Sequence, residues 1–367
     1  MEVRIRRHLR RRPLLRHVAA STRGVGFRHA FAHPGPVRPD HLYEGPRRRA
    51  VHGLPQLRTV VPGAPRQPGR GLFRMNTYTW PQGARTVVLL TVNFDAETFD
   101  LKETPPERLF GRYSYGRYAV RAGFPRLREL FARHGVPATF FVPGGDARRH
   151  PDLVRELAAD GHEIAARGID LENFATLGDK EVEVLRTART VLADITGTAP
   201  VGFRAPGGEL SSRTLGHLAE QGFLYDATFQ DADHPYVYGL AGGKRIVELP
   251  SNFALDDAPI YSARHTHARL HTIWRDEIQA LHAENVLIPI TLNLRGDFGS
   301  TRAARIAVLD TLLTEIKQLG DVRFMTCQQL AEHTLSLNLA TEPDPFLAHA
   351  ETLSRTEYRG DLAIKPL

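Results

Sequence analysis

The sequence holds a single cysteine, Cys327, which excludes an internal disulfide framework and a Cys-rich zinc site. No apolar run approaches the ~20 residues needed to span a bilayer. The N-terminus lacks the apolar core of a secretory signal, because Leu14, Leu15 and Val18 are broken up by Arg and His. No membrane partner is expected, and the cytoplasm is the expected location. No Gly-rich phosphate fingerprint follows the first strand-like stretch, so a dinucleotide role is unsupported. No internal repeat is visible. Lysine is missing from residues 1–74, which carry 17 Arg and only three acids, Glu2, Asp40 and Glu44. That segment therefore holds +14 of a chain whose net charge is +7, and the remainder is acidic at −7.

Residues 1–74 are rich in Arg, Pro, Gly and His, with charge blocks at Arg10–Arg12 and Arg47–Arg49. Such a composition cannot bury enough apolar surface to offset the entropy of ordering. A nucleic-acid arm is one reading of it. Arg without Lys, mixed with Pro, Gly and Ala, is also what GC-rich upstream DNA gives when translated, and Met75 opens an ordinary protein sequence. The segment is read as disordered and as an over-extended start, with no nucleic-acid partner.

The rest of the chain is organised around 86–97, Thr-Val-Val-Leu-Leu-Thr-Val-Asn-Phe-Asp-Ala-Glu. A β-branched and aliphatic run without helical period reads as a strand buried on both faces. In parallel α/β architectures chemistry gathers at the carboxyl ends of strands. Asn93, Asp95 and Glu97 sit there, and alternation predicts that they share one side. Buried carboxylates are costly unless something pairs with them.

Strand-like stretches then recur at 138–142, 162–165, 201–204, 224–228, 246–249, 287–292 and 322–325. Helical periods fall at 120–134, 152–160, 179–196, 211–221, 274–284 and 303–319, several stopped by Gly. Residues 99–118 read as a long polar and aromatic loop around Pro105-Pro106. Repetition of strand, helix and Gly stop predicts one α/β domain over 75–335 with a mostly parallel sheet, open or closed into a barrel, followed by a polar tail at 336–367.

Polar residues cluster at further strand ends: Gly161-His162-Glu163 to Arg167, Arg204-Ala-Pro-Gly-Gly, Tyr225-Asp226 with Asp231 and Asp233, Leu255-Asp256-Asp257-Ala-Pro, and Asn293 to Arg295. In these segments, and in Arg121-Ala-Gly-Phe, the chain resembles the polysaccharide deacetylase (NodB-homology) family over about Trp80 to His333. The branch it is most similar to lies near cytoplasmic peptidoglycan deacetylase-like proteins and metal-independent allantoinases. The resemblance implies a distorted (β/α) barrel of seven or eight mostly parallel strands. It also implies metal-assisted amide hydrolysis, with an Asp base and an Asp metal ligand in the first motif, two His ligands four residues apart, and a late His acid.

Mapped onto this chain, the base position is Asn93, the metal Asp is kept as Asp95, the His positions are Arg167 and Leu171, and the late His is Asn293. Arginine has no lone pair for a cation and stays charged, and leucine offers nothing. Asp95 alone will not hold a divalent metal, whereas Arg167 can place its guanidinium in the space a metal would take. No metal and no other cofactor is expected. The branch of metal-independent allantoinases also has Asn at the first position but keeps its His residues.

Glu97, Asp231, Asp233 and His162 are the candidate acids and bases. Asn93, Asp95, Arg167, Arg204, Asp256, Asp257 and Asn293 are the candidate substrate contacts. Each has a plainer reading: Asp95 with Arg167 as a structural ion pair, Arg204 as a brace, Asp256-Asp257 as a cap, His162 as a satisfied structural histidine. Three functions follow: a metal-independent enzyme acting on a C–N bond of a cytoplasmic small molecule, an inactive pseudo-deacetylase binding a sugar or amide, or a repurposed biosynthetic enzyme doing cyclisation or isomerisation. A small-molecule substrate is the expected partner, and homo-oligomerisation is left open.

Overall fold

The computed structural model describes residues 78–343. The basic segment 1–74, Met75 and the tail from 344 lie outside the described residues.

Strand β1 (Thr86–Asn93) is the axis of the sheet, and all eight of its residues are buried. Val88, Leu90 and Val92 pack among the helices, while Val87 and Leu89 join Phe141, Tyr225, Val247 and Met325 on the other face. Apolar contact is required on both faces, which is why the run does not alternate. β2 (Thr139–Val142) and β8 (Ile288–Asn293) pair with β1 in parallel, and β9 (Val322–Met325) pairs with its first half. Beyond β2 the parallel order continues through β3 (Glu163–Ala166), β4 (Gly202–Phe203), β5 (Tyr225–Asp226) and β7 (Arg245–Glu248).

β6 (Tyr236–Gly239) runs antiparallel to β7, and β10 (Glu342–Pro343) pairs with β6 beyond it. The eight strands other than β6 and β10 run parallel to one another, as expected for a distorted (β/α) barrel. Among the described residues no ladder closes the sheet; one parallel bridge from Asp256 to Thr291 joins the segment after β7 to β8. No helix among the described residues is long and apolar enough to cross a membrane.

The helices Phe124–His134 and Glu181–Thr196 stop where the sequence predicts, at Gly135 (φ 57°) and Gly197 (φ 77°), both left-handed. The stretch 99–118 is not a loop. It forms the helices Glu97–Glu103 and Leu109–Tyr118, linked through a single turn at Pro106–Arg108. Their amphipathic signal is faint because they pack through backbone. A Cβ at Gly116 would meet the Ala96 carbonyl at 2.7 Å, and the Gly116 N–H donates to Asp100 Oδ2 at 2.8 Å. The short strand β6 and the helix Cys327–Ser336 were likewise not anticipated.

The space inside the sheet is filled from below. Gly202 has no Cβ because one would sit 1.9 Å from the Tyr225 ring. Tyr225 crosses the interior and donates its hydroxyl to Glu163 Oε1 at 2.6 Å. The other oxygen of Glu163 accepts from Thr139 Oγ1 and from the Gln328 N–H, both at 2.8 Å. A carboxylate at the first turn of Cys327–Ser336 suits the positive end of that helix. Glu163→Ala would strand three donors, so unfolding in urea should show a loss of about 2 kcal/mol or more. A loss under about 0.5 kcal/mol, the range of neutral surface changes, would mean that the carboxylate does not hold this helix.

A candidate site at the carboxyl ends of the strands

Asn93 ends β1, Arg167 follows β3, Arg204 follows β4 and Asn293 ends β8. Parallel register brings all four to one edge of the sheet. Arg167 grips Asp95 with both arms of its fork, Nε to Oδ1 at 2.8 Å and Nη2 to Oδ2 at 3.2 Å. The two side chains are only 9% and 6% exposed. Arg204 lies over the Phe141 ring at 4.1 Å and donates to the Ala227 carbonyl (2.9 Å), Thr91 Oγ1 (2.9 Å) and Asn93 Oδ1 (3.4 Å). These bonds leave one terminal nitrogen of each guanidinium, Nη1 of Arg167 and Nη2 of Arg204, without a partner among the described residues.

Asn93 and Asn293 are register partners across β1 and β8, and Asn93 Nδ2 donates to Asn293 Oδ1 at 3.1 Å. Asn293 passes the chain of bonds on, its Nδ2 reaching Asp257 Oδ1 at 2.7 Å and Asp256 Oδ1 at 3.1 Å. Its backbone N–H also donates to Asp257 at 3.0 Å. Asp256 caps the short helix Asp257–Ser262 through the Ala258 N–H at 2.9 Å, as one plain reading of that pair requires. Burial, and then the neighbouring charge of Asp256, push the Asp257 carboxyl up to about 7. Burial also raises Asp256, against the Ala258 N–H and the charges of Arg204 and Arg167.

Two residues that sequence reasoning did not single out hold the turn after β1. Asp146 receives the N–H groups of Ala96 (2.8 Å) and Thr98 (2.9 Å) and the Thr98 hydroxyl (2.8 Å), and burial lifts its carboxyl to about 6. Arg295, fully buried between Phe99 and Phe298, donates to the Ala96 carbonyl at 3.1 Å and to Asp100 at 2.7 Å. The only sequence signals were Gly144-Gly145-Asp146 after β2 and an Arg two residues beyond Asn293.

Four expected members stand apart. Glu97 does not share a side with Asn93 and Asp95, because the strand ends at Asn93 and Ala96 (φ −94°, ψ −119°) turns the chain into a helix. Its carboxylate bonds His150 Nε2 at 2.7 Å; burial pushes it up, but the His150 bond and charge outweigh this and hold it below the usual carboxylate range. His162 precedes β3 and so lies at the opposite end of that strand from Arg167. It accepts the Ala138 N–H at 3.2 Å and packs on Phe140 and Phe131. Asp231 and Asp233 line a separate cleft of about 390 Å³ with Ser251, Asn252 and Pro289. Asp231 accepts from the Tyr236 hydroxyl at 2.8 Å, and the Asp233 carbonyl accepts the Leu287 N–H at 3.0 Å, at the amino end of β8.

The donor set does not suit a divalent metal. Asp95 is spent on Arg167, and Leu171 is a buried hydrocarbon at φ 57°. No group of three or more His, Cys, Asp or Glu side chains among the described residues converges as metal ligands would.

Comparison with known proteins places the sequence and the fold. The polysaccharide deacetylase profile covers residues 109–225. A crystal structure from Mycobacterium smegmatis, described as a polysaccharide deacetylase, superposes with a TM-score of 0.67 at 35% identity, covering 72% of this chain and 95% of that one. The chain belongs to the polysaccharide deacetylase family. A peptidoglycan deacetylase of Helicobacter pylori is 26% identical over 258 residues, which is 61% of this family member and 88% of its relative. An allantoinase structure shares the fold, with a TM-score of 0.66 at 24% identity over 74% of this chain and 99% of that one.

Two outcomes follow for this deacetylase-family site. Removing one partner of a buried pair costs roughly 3–5 kcal/mol, whereas replacing both with neutral groups can be close to neutral. Arg167→Leu should therefore destabilise strongly, and Asp95→Asn with Arg167→Leu should recover much of the loss in a urea double-mutant cycle. Coupling under about 0.5 kcal/mol, the level of independent sites, would show that the pairing contributes little. The second outcome concerns pH. Asp257 holds its proton more tightly folded (about 7) than at its ordinary 3.8, so its stabilising contribution is complete below 3.8 and lost as pH rises through about 7. Unfolding free energy should fall from pH 5 to pH 8, and Asp257→Asn should flatten part of that fall; an unchanged slope would exclude Asp257 as its source.

Proposed function

We propose that this chain is a metal-independent member of its family that acts on a C–N bond of a cytoplasmic small molecule. The observation that carries the proposal is the two-armed bond from Arg167 to Asp95. It puts a fixed cation beside the one carboxylate that the metal site of the family would use. Asn93, Asp95, Arg167, Arg204 and Asn293 are each 4–8% exposed, so little of the cluster is open to a polymer strand.

Asp256 is the carboxylate of this cluster that is neither gripped by an arginine nor fully buried, and it faces the charges of both Arg204 and Arg167. In a hydrolytic step it takes a proton from water as the oxygen attacks the carbonyl carbon. The free N–H groups of Arg167 and Arg204 receive the oxyanion, and the proton passes to nitrogen as the C–N bond breaks. Asn93 and Asn293 hold Asp256 in place through their chain of hydrogen bonds. The proposed acid–base role thus moves from Glu97, Asp231, Asp233 and His162 to Asp256. The relatives named as peptidoglycan deacetylase and allantoinase support a C–N bond as the target.

The competing reading, a ligand-binding pseudo-deacetylase, is favoured by the complete pairing of Asp95. The two separate in one set of measurements on acetamido sugars and cyclic ureides. Elemental analysis after dialysis should find far less than one equivalent of zinc, cobalt or nickel, and turnover should survive chelators. Asp256→Asn should abolish turnover while leaving ligand affinity within about threefold, since it removes a transition-state role rather than uniform binding. Near-stoichiometric metal that is lost in Asp95→Ala would overturn metal independence, and binding without turnover would establish the pseudoenzyme.

A further inference from the structure

The turn after β1 leads to a second cavity. Glu97, Arg117, Arg121, Arg149 and His150 line a space of about 430 Å³ that none of Asn93, Asp95, Arg167 or Arg204 borders. Its size falls within the ~300–1,000 Å³ of small-molecule sites. Most charges in its walls are already satisfied. Glu97 is held by His150 at 2.7 Å. Arg149 donates to Thr98 Oγ1 at 2.6 Å and lies 3.4 Å from the Asp146 carboxylate. Asp152 is bonded to Arg155 and its side chain is 85% exposed.

Arg117 and Arg121 are the exception. Both are exposed, and neither has a hydrogen bond or ion pair with any described residue. They lie four residues apart on the helical run formed by Leu109–Tyr118, Ala119–Gly123 and Phe124–His134, so they occupy one face of it. Like charges at that spacing repel, and here both border the same cavity. An anion between them removes the repulsion. Two unpaired guanidinium groups balance a dianion, and their planar forks match phosphate oxygens in bidentate fashion. A single carboxylate would leave one of them unmatched.

We infer that this cavity binds the phosphate group of a small phosphorylated molecule, gripped by Arg117 and Arg121. The site is independent of the Asp95 cluster and of the reaction proposed there. Inorganic phosphate is the probe, titrated against the full chain at low, constant ionic strength and read as a rise in thermal midpoint, which reports binding favoured by the folded state. The rise should saturate. Arg117→Ala and Arg121→Ala should each weaken it roughly tenfold, as expected for loss of a charge-assisted contact, and the double variant should abolish it. Arg121→Lys should keep part of the effect through its charge. Arg275→Ala, at a half-exposed position on the helix His267–Glu284 and outside this cavity, should change nothing. Acetate at equal ionic strength should give no saturable rise. An unchanged phosphate effect in the double variant would overturn the assignment, and acetate acting as strongly as phosphate would overturn the dianion.

Discussion

The site depends on one buried pair, Asp95 with Arg167. A carboxylate at the tip of a strand buried on both faces must meet a cation or give up its charge. In the metal-dependent plan of this family the cation is a metal, and here it is a guanidinium held by two bonds. The guanidinium satisfies the carboxylate, but it offers different chemistry from a metal ion. A bound metal lowers the pKa of its water and polarises a carbonyl as a Lewis acid. An arginine that does not titrate can only donate hydrogen bonds and charge. Under the function we propose, proton transfer at this centre falls to Asp256.

Around that pair the polar groups are arranged so that few are left unmatched. Arg204 spends two nitrogens on Ala227, Thr91 and Asn93, and Asn93 and Asn293 hand hydrogen bonds across β1 and β8 to Asp256 and Asp257. Asp146 and Arg295 fix the backbone at Ala96 from two directions, one taking its N–H and the other giving to its carbonyl. The position of Asp95 is thus set by groups that never touch it. Networks of this kind are rigid when complete and costly when broken. The free terminal nitrogens of Arg167 and Arg204 are consequently the available donors in an otherwise satisfied cluster.

The sequence was informative where residues act through pattern. The double-sided burial of β1 showed in its unbroken apolar run, and the ends of the helices at Gly135 and Gly197 showed in the one residue that accepts a left-handed backbone cheaply. The Asp95–Arg167 pairing was legible only because an arginine stands where the family resemblance places a metal-binding histidine. Pattern failed where the backbone does the packing. The helices over 97–118 rest on Gly116 against Ala96, which leaves little amphipathic signal. It failed again at Glu97, where period-two alternation was extended four residues past the true end of the strand. Asp146 and Arg295 act by bonding backbone across about 50 and 200 residues of chain, a separation that no local window spans.

That turn at Ala96 also divides the polar chemistry of the molecule. Asp95 stays with the central cluster, and Glu97 is carried to the wall of a different cavity, where it is hydrogen-bonded to His150. The residues after 74 are acidic overall, at −7, so a pair of uncompensated arginines runs against the local trend. Exposed cations in an acidic domain find a carboxylate partner easily, as Arg128 does with Glu156 and Asp160. Arg117 and Arg121 do not: of the acids in the wall of their cavity, Glu97 is bonded to His150 and Asp152 to Arg155. The same backbone turn that excludes Glu97 from the Asp95 cluster thereby leaves two guanidinium groups open to an anion from solution.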